Sequence, residues 1–358
     1  MSTPPAAHQS SLGSEAHGAG TGMGNQPVPR ISVVMPVYNA GKLLGECLEA
    51  LRASEGVSYE ILVVDDSSTD DSREVAQAHG ARVIPSGGRL GPAGARNRGA
   101  EQARGEILFF VDSDVVIKPD TLRGLAEAFD RDPRLDGAIA VQAPAMRLEN
   151  ICSRYKNLWM YYTYARLAGE DVPLFYTTAA AIRRRVFVEA GGFDGNYTNP
   201  NVEDTDFGQK LARLGYRVRV LPTLEVEHVK GYDLRGLLRT DYLRSVSLAR
   251  LKLRKRGDTM TSNDTSVPIG YMVSVPLAAV TSVVLLAFAL TGSKPLLWTT
   301  LVALGAIFLL NVPFLRLIRA HGGSRAWAQS LGILVIDLLA AGLGSAVGII
   351  TYIAGTKY

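Results

Sequence analysis

Apolar and polar positions along the chain repeat one arrangement four times before residue 115. Residues 31–36, 59–64, 81–84 and 107–111 are short, nearly continuous apolar runs, mostly rich in β-branched side chains and followed by turn-forming or acidic residues. Such runs predict buried strands. Between them, residues 42–53 place Leu43, Leu44, Cys47, Leu48 and Leu51 on one helical face. Ser67-Ser68-Thr69-Asp70 reads as the cap of a helix through His79. A loop over 87–94 with four glycines leads into a helix over 95–103. Alternating strands and helices with continuous strand hydrophobicity predict an α/β domain whose central, mainly parallel sheet is covered on both faces. Residues 138–228 are less regular. They hold an aromatic cluster (Tyr155, Trp159, Tyr161, Tyr162, Tyr164), a helix from Glu203 to about Leu214, and strands at 216–221 and 225–228.

Beyond residue 232 the pattern changes. Leu234, Leu237, Leu238, Leu248 and Leu251 are interleaved with Arg235, Arg239, Arg244, Arg250, Lys252, Arg254, Lys255 and Arg256. That is a basic amphipathic segment of the kind that lies on an anionic membrane surface, or else a solvated surface helix. Three apolar segments follow, about 267–290, 296–317 and 331–354, each near the ~20 residues that cross a bilayer. The positive-inside rule places the large domain in the cytoplasm and the C-terminus outside, as in a multi-pass inner-membrane protein. Asp337 falls inside the third segment, where a carboxylate is costly unless paired or wet. The chain therefore divides into a tail (1–28), an α/β domain (29–232), a basic interface segment (233–266) and an apolar region (267–358).

Composition adds three exclusions. The tail has no apolar core and is not a signal peptide; its Ser, Gly, Ala and Pro content predicts disorder over residues 1 to about 28. The net charge of +4 is too small and too dispersed to argue for nucleic acid. The two cysteines, Cys47 and Cys152, suit neither a disulfide framework nor a metal site and fit a reducing compartment.

Candidate chemistry gathers at strand ends. Asp65, Asp66, Asp112 and Asp114 follow the second and fourth strands, and ligands of open α/β sheets bind at the carboxyl ends of strands. Four converging carboxylates repel unless something positive lies between them. Asp112-Ser113-Asp114 offers hard oxygen ligands suited to Mg²⁺ or Mn²⁺, which would neutralise a departing diphosphate. Solvated loop aspartates are the plainer alternative.

Six motifs then occur in order. They are Pro36-Val37-Tyr38-Asn39; Val63-Val64-Asp65-Asp66-Ser67-Ser68-Thr69-Asp70; the glycine-rich residues 91–99; Asp112-Ser113-Asp114; Gly191-Gly192-Phe193-Asp194; and Glu203-Asp204-Thr205-Asp206. Over residues 30–228 the chain resembles an inverting family 2 glycosyltransferase of the GT-A fold. The resemblance implies a nucleotide-sugar donor, UDP- or GDP-linked, with Pro36, Tyr38, Asp65, Asp66, Arg96, Asp112 and Ser113 on the nucleotide. Tyr38 would stack on the base and Asp66 would bond its edge. Asp114, with Asp112 and His228, would hold the metal. Asp204 would be the general base, with Glu203 beside it, and Gly192, Phe193, Asp194 and Asp206 would face the acceptor. Tyr38 and His228 also admit ordinary packing roles, and Glu203-Asp204 could merely stabilise a helix N-terminus.

A base at Asp204 suits an alcohol acceptor, which must lose its proton as it attacks, whereas a phosphate acceptor is already ionised. The reading is thus single-sugar transfer to a hydroxyl of a lipid or lipid-linked glycan at the membrane. Polyprenyl-phosphate glycosylation and an inactive membrane scaffold are the alternatives. No Gln-x-x-Arg-Trp motif occurs, which argues against polymer synthesis. No Gly-x-Gly-x-x-Gly follows the first strand, which argues against a dinucleotide oxidoreductase. A nucleotidyltransferase would carry a basic glycine-rich loop at that position, and a transporter reading would rest on the apolar segments and Asp337 alone.

Overall fold

The computed structural model describes residues 1, 27–200, 202–255 and 265–358. The expected tail disorder, and Arg256 of the basic segment, lie outside the described residues.

The first half follows the expected alternation: β1 (Ile31–Val37), α1 (Gly41–Arg52), β2 (Tyr59–Asp65), α2 (Ser72–Ala78), β3 (Arg82–Pro85), α3 (Gly91–Gln102) and β4 (Ile107–Val111). The continuous apolar strands are buried on both faces. Alternate residues of β1 and β4 serve two cores: Val34, Leu108 and Phe110 pack toward α3, while Val33, Met35 and Phe109 pack toward α1. One local correction concerns α2. The 67–70 segment does not cap it directly, because Asp71 is the N-cap residue and makes no side-chain cap bond. Asp70 instead accepts from the Ser72 amide at 3.1 Å and the Gly41 amide at 3.1 Å, holding the starts of α1 and α2 together.

The chain continues through β5 (Val115–Ile117), α4 (Thr121–Arg131), β6 (Gly137–Gln142), α5 (Ile151–Ala165), β7 (Ala179–Arg183), α6 (Arg184–Glu189), α7 (Glu203–Arg213) and β8 (Val218–His228). The sheet has eight strands in the order β3-β2-β1-β4-β7-β6-β8-β5. Only its first half is the parallel array expected from sequence. β7 runs antiparallel to both β4 and β6, and β5 antiparallel to β8, so the whole is mixed. The two predicted strands at 216–221 and 225–228 are one, β8, whose pairing with β6 shifts register between Ala140 and Val141.

The C-terminal part comprises α8 (Leu234–Arg254), α9 (Ile269–Thr291), α10 (Lys294–Leu310) and α11 (Val312–Ile353). Two of these, α9 and α11, are long and apolar enough to cross a membrane, rather than the three expected. The second expected segment breaks at Asn311; α10 has 17 residues, about 25 Å at ~1.5 Å each, short of the ~30 Å hydrocarbon layer. α9 and α10 form a hairpin whose open end is closed by Asn311 Nδ2 donating to Ser274 Oγ at 2.9 Å. Its flanks expose Val283, Leu286, Leu290, Trp298 and Val302.

α11 breaks at Gly323, whose φ of 73° and ψ of −175° leave the helical region. Its first part lays Phe314 against Tyr155 and Trp159 of α5, with ring centroids 5.2 and 5.0 Å apart. Its second part runs beside α8, where Gly344 and Gly348 lie against the carbonyls of Tyr242 and Val246. The chain end returns to the α/β domain, with Tyr358 Oη donating to Asp194 Oδ2 at 2.9 Å. A C-terminus on the far side of a membrane does not fit this packing. Asp337 is paired rather than wet: Tyr155 and Tyr271 hydroxyls donate to its Oδ2 at 3.2 and 2.9 Å.

Candidate active site

A cavity of about 1430 Å³ opens at the carboxyl ends of β1, β2 and β4 and extends beneath α8. At one end stands Tyr38, just after β1 and 44% exposed. The Arg89 guanidinium lies 3.0 Å from its ring centroid. The β1 and β2 turns are stitched together: Asn39 Oδ1 accepts from the Thr69 amide at 2.8 Å, and Ser68 Oγ accepts from the Asn39 amide at 3.0 Å. Asp66 accepts from the Leu90 and Gly91 amides at 2.8 and 2.9 Å, so it pins the glycine-rich loop at the start of α3. Gly91 has φ +75°, and a Cβ there would sit 2.2 Å from the Thr198 carbonyl oxygen, which only glycine tolerates. Pro36 and Asp66 line the cavity, but Asp65 does not. Asp65 is buried in its own turn, accepting from the Ser68 amide at 3.0 Å and from Arg73 Nε at 2.5 Å.

The acidic motif leaves the end of β4. Asp112, Ser113 and Asp114 all reach the cavity wall. The β5–β8 pairing sets Val115 opposite His228. That places Asp114 Oδ1 3.5 Å from His228 Nε2. Asp112 does not join them; its Oδ1 accepts from Arg96 Nη2 at 2.7 Å. Among the described residues no three His, Cys, Asp or Glu side chains converge as a metal cluster. Asp114, with His228 beside it, suits a divalent cation that takes few protein ligands and the rest from substrate phosphates and water; the carboxylate is the ligand type that Mg²⁺ and Mn²⁺ prefer.

Arg96 differs most from its expected role. It is buried at 3% exposure, and besides Asp112 its Nη1 donates to Glu203 Oε1 at 2.9 Å. Its terminal nitrogens join the end of β4 to the start of α7, and the residue still lines the cavity. Glu203, held by Arg96, lines the cavity beside Asp204. Asp204 is 7% exposed on the first turn of α7 and faces the cavity. Burial, with Glu203 adding to it, pushes the Asp204 carboxyl up to about 6.

The expected acceptor-side residues lie elsewhere. Gly192, Phe193, Asp194 and Asp206 line a separate recess of about 410 Å³. Phe193 packs among Phe110, Phe187 and Phe207, and Asn97 both donates to its carbonyl and accepts from its amide. Asp194 holds Asn196 and Tyr358, and Asp206 binds Arg254, Lys255 and Tyr197. These residues fasten the loop before α7 and the C-terminal helices to the domain. Sequence reasoning missed Arg89, Thr177 and Thr178 on the wall, and above all Lys156, Arg239, Arg244 and Arg250. The arginine spacing in α8 was visible, but which face looks inward was not.

Residues 32–191 match the model of the Glycosyl transferase family 2. An uncharacterized protein of Mycobacterium tuberculosis is 30% identical over 204 residues, 52% of this chain and 63% of that protein. The glycosyltransferase GlyG of Streptococcus pneumoniae is 40% identical over 100 residues, 26% of this chain and 33% of its own length. The chain thus spans less than two thirds of these relatives. Among solved structures, a mannosyltransferase of Pyrobaculum calidifontis, in complex with GDP-Man and Mn²⁺, superposes with a TM-score of 0.62 at 23% identity over 90% of this chain and 88% of that one. That likeness extends the shared fold past the family match into the C-terminal helices. Residues 32–191 thus carry a match to glycosyl transferase family 2, and the mixed α/β fold agrees with it.

Proposed function

We propose that the protein transfers one sugar from a UDP- or GDP-linked donor to a hydroxyl group of a lipid or lipid-linked acceptor, with inversion. One observation carries the reading: a single cavity is lined by the exposed ring of Tyr38, by Asp114 with His228, and by the buried carboxylate of Asp204. The base would lie on Tyr38, with Arg89 displaced from or sandwiching it, and the diphosphate would lie near Asp114 and His228. Mg²⁺ or Mn²⁺ held there would neutralise the departing diphosphate. Asp204 takes the acceptor proton as the hydroxyl oxygen attacks the anomeric carbon opposite the leaving group, and a single displacement inverts that centre. Arg96 holds Glu203 and Asp112 in register, keeping the base and the metal-binding turn at fixed separation. The apolar flanks of α9 and α10 support a membrane location, with the large domain on the cytoplasmic side.

The test is calorimetry of the detergent-purified protein with Mn²⁺ against UDP and GDP; the mannosyltransferase complex makes GDP with Mn²⁺ the first pair to try. Metal-dependent binding of one nucleotide is expected and narrows the donor. A folded protein that binds neither would refute the donor site.

A further inference from the structure

The cavity exceeds the ~300–1,000 Å³ that most small ligands occupy. Its far part lies beneath α5 and, beyond the family-matched residues, α8 and α11. There α8 presents Arg239, Leu243, Val246 and Arg250 on one helical stripe with Arg244 on its flank, and α11 contributes Val347. The wall is therefore basic and apolar at once.

The cations differ in what they already hold. Lys156 is paired with Asp241. Arg250 donates to Thr351 Oγ1 and to the Tyr358 carbonyl. Among the described residues, Arg239 and Arg244 have no carboxylate in an ion pair with them. Arg244 nevertheless stands in the field of Asp204, beside Tyr164 and Tyr176. Arg244 thus borders the carboxylate that would receive the acceptor's proton, and Arg239 lines the same cavity with no carboxylate in an ion pair. Guanidinium forks match phosphate oxygens in pairs. Leu243, Val246 and Val347 continue the same wall toward the apolar helices, so an anion seated here would sit next to space suited to a hydrocarbon chain.

We propose that Arg239 and Arg244 form an acceptor subsite for a phosphate-bearing amphiphile. Its phosphate lies on the two arginines, its chain runs along the α8–α11 wall, and its reacting hydroxyl is presented to Asp204. The proposal rests on the glycosyl-transfer reading for the last of these placements, while the phosphate subsite itself is tested by binding alone.

The experiment is calorimetry of the full chain in detergent with three probes: dihexanoyl phosphatidic acid, dihexanoyl phosphatidylcholine and inorganic phosphate. The phosphatidic acid is expected to bind best, and Arg239→Gln with Arg244→Gln to weaken it by about tenfold or more, the size of a lost charge-assisted hydrogen bond. Arg239→Gln alone, at an exposed position, keeps the test open if the Arg244 variant does not fold; it should weaken the same probe severalfold. Equal affinity for the two lipids, or unchanged affinity in the variants, would overturn the subsite. Inorganic phosphate binding as tightly as the lipid phosphate would overturn the amphiphile. UDP and GDP affinity with Mn²⁺, measured on the same samples, separates the two readings. A nucleotide loss in the variants equal to the lipid loss would assign the arginines to the donor diphosphate and sink the proposal. Lipid-phosphate binding by a wild-type protein that binds no nucleotide would support the subsite and sink the transferase reading.

Discussion

Asp204 is a carboxylate in a buried wall, and its burial sets when it can act as a base. Its proton is held up to about pH 6, so the ionised form prevails above that value. Transfer to an alcohol should fall by about tenfold per pH unit well below 6 and level off above it. A pH–rate profile that stays flat down to pH 4.5 would remove Asp204 from that role. Asp204→Asn should cost about 10²- to 10⁴-fold in turnover, with nucleotide binding retained. Arg96 makes the complementary argument about stability. Removing its charge takes from Glu203, and from the less buried Asp112, the cation they share. Arg96→Met should therefore destabilise the domain by about 3–5 kcal/mol, read as the shift of a thermal or denaturant transition. A shift near zero would mean that the two carboxylates find water. At this scale the sequence singled out groups that the structure gathers in one cavity, Tyr38, Asp114, His228 and Asp204 among them, and misjudged several partners. Asp112, Asp66 and Phe193 carry functional-looking motifs, yet they spend their polar or apolar capacity on Arg96, on the glycine-rich loop and on the aromatic core.

The elements most readily visible in the sequence were those with an uninterrupted pattern. β1, β2, β3 and β4 are apolar runs bounded by turns, and α1 shows a single apolar stripe. β6 and β7 were hidden because Gly137–Gln142 and Ala179–Arg183 are rich in alanine, which has weak strand preference; their pairing comes from neighbours. α5 was hidden for the opposite reason. Its aromatic side chains are buried on nearly every side, so no polar stripe marks it. The α8–α11 contact was equally invisible, because it depends on two glycines meeting carbonyls of another helix. A Cβ on Gly348 would sit 2.4 Å from the Val246 carbonyl oxygen. Gly348→Leu should push α11 from α8, break the Arg250–Thr351 bond and lower stability by about 1–3 kcal/mol, measured by thermal unfolding in detergent. No change would mean that the two helices part freely.

For the whole molecule, the decisive feature is where the ends of the apolar helices lie. The α9–α10 hairpin leaves and returns, and α11 touches the α/β domain at its first part through Phe314 and beyond its end through Tyr358. An epitope added at the C-terminus should share the side of the large domain. In sealed right-side-out vesicles, external protease should spare both. Digestion of the epitope with the domain intact would restore the three-span arrangement that hydropathy alone suggested. The same packing enlarges the cavity. α8 and α11 close over its far part, bringing arginines from outside the family-matched region into the same wall as Asp204.

By itself the sequence determined what local pattern can encode: the alternating α/β order of the first half, the acidic residues at strand ends, the family motifs and the existence of a basic helix before an apolar region. Each of these follows from hydrophobic period or from residue type at fixed spacing. Only the tertiary structure decided the mixed second half of the sheet, the commitment of Arg96 to two carboxylates and the inward face of α8. Those contacts join positions far apart along the chain, as with Arg96 and Glu203, 107 residues apart. No local period records which of many compatible partners a buried charge will meet.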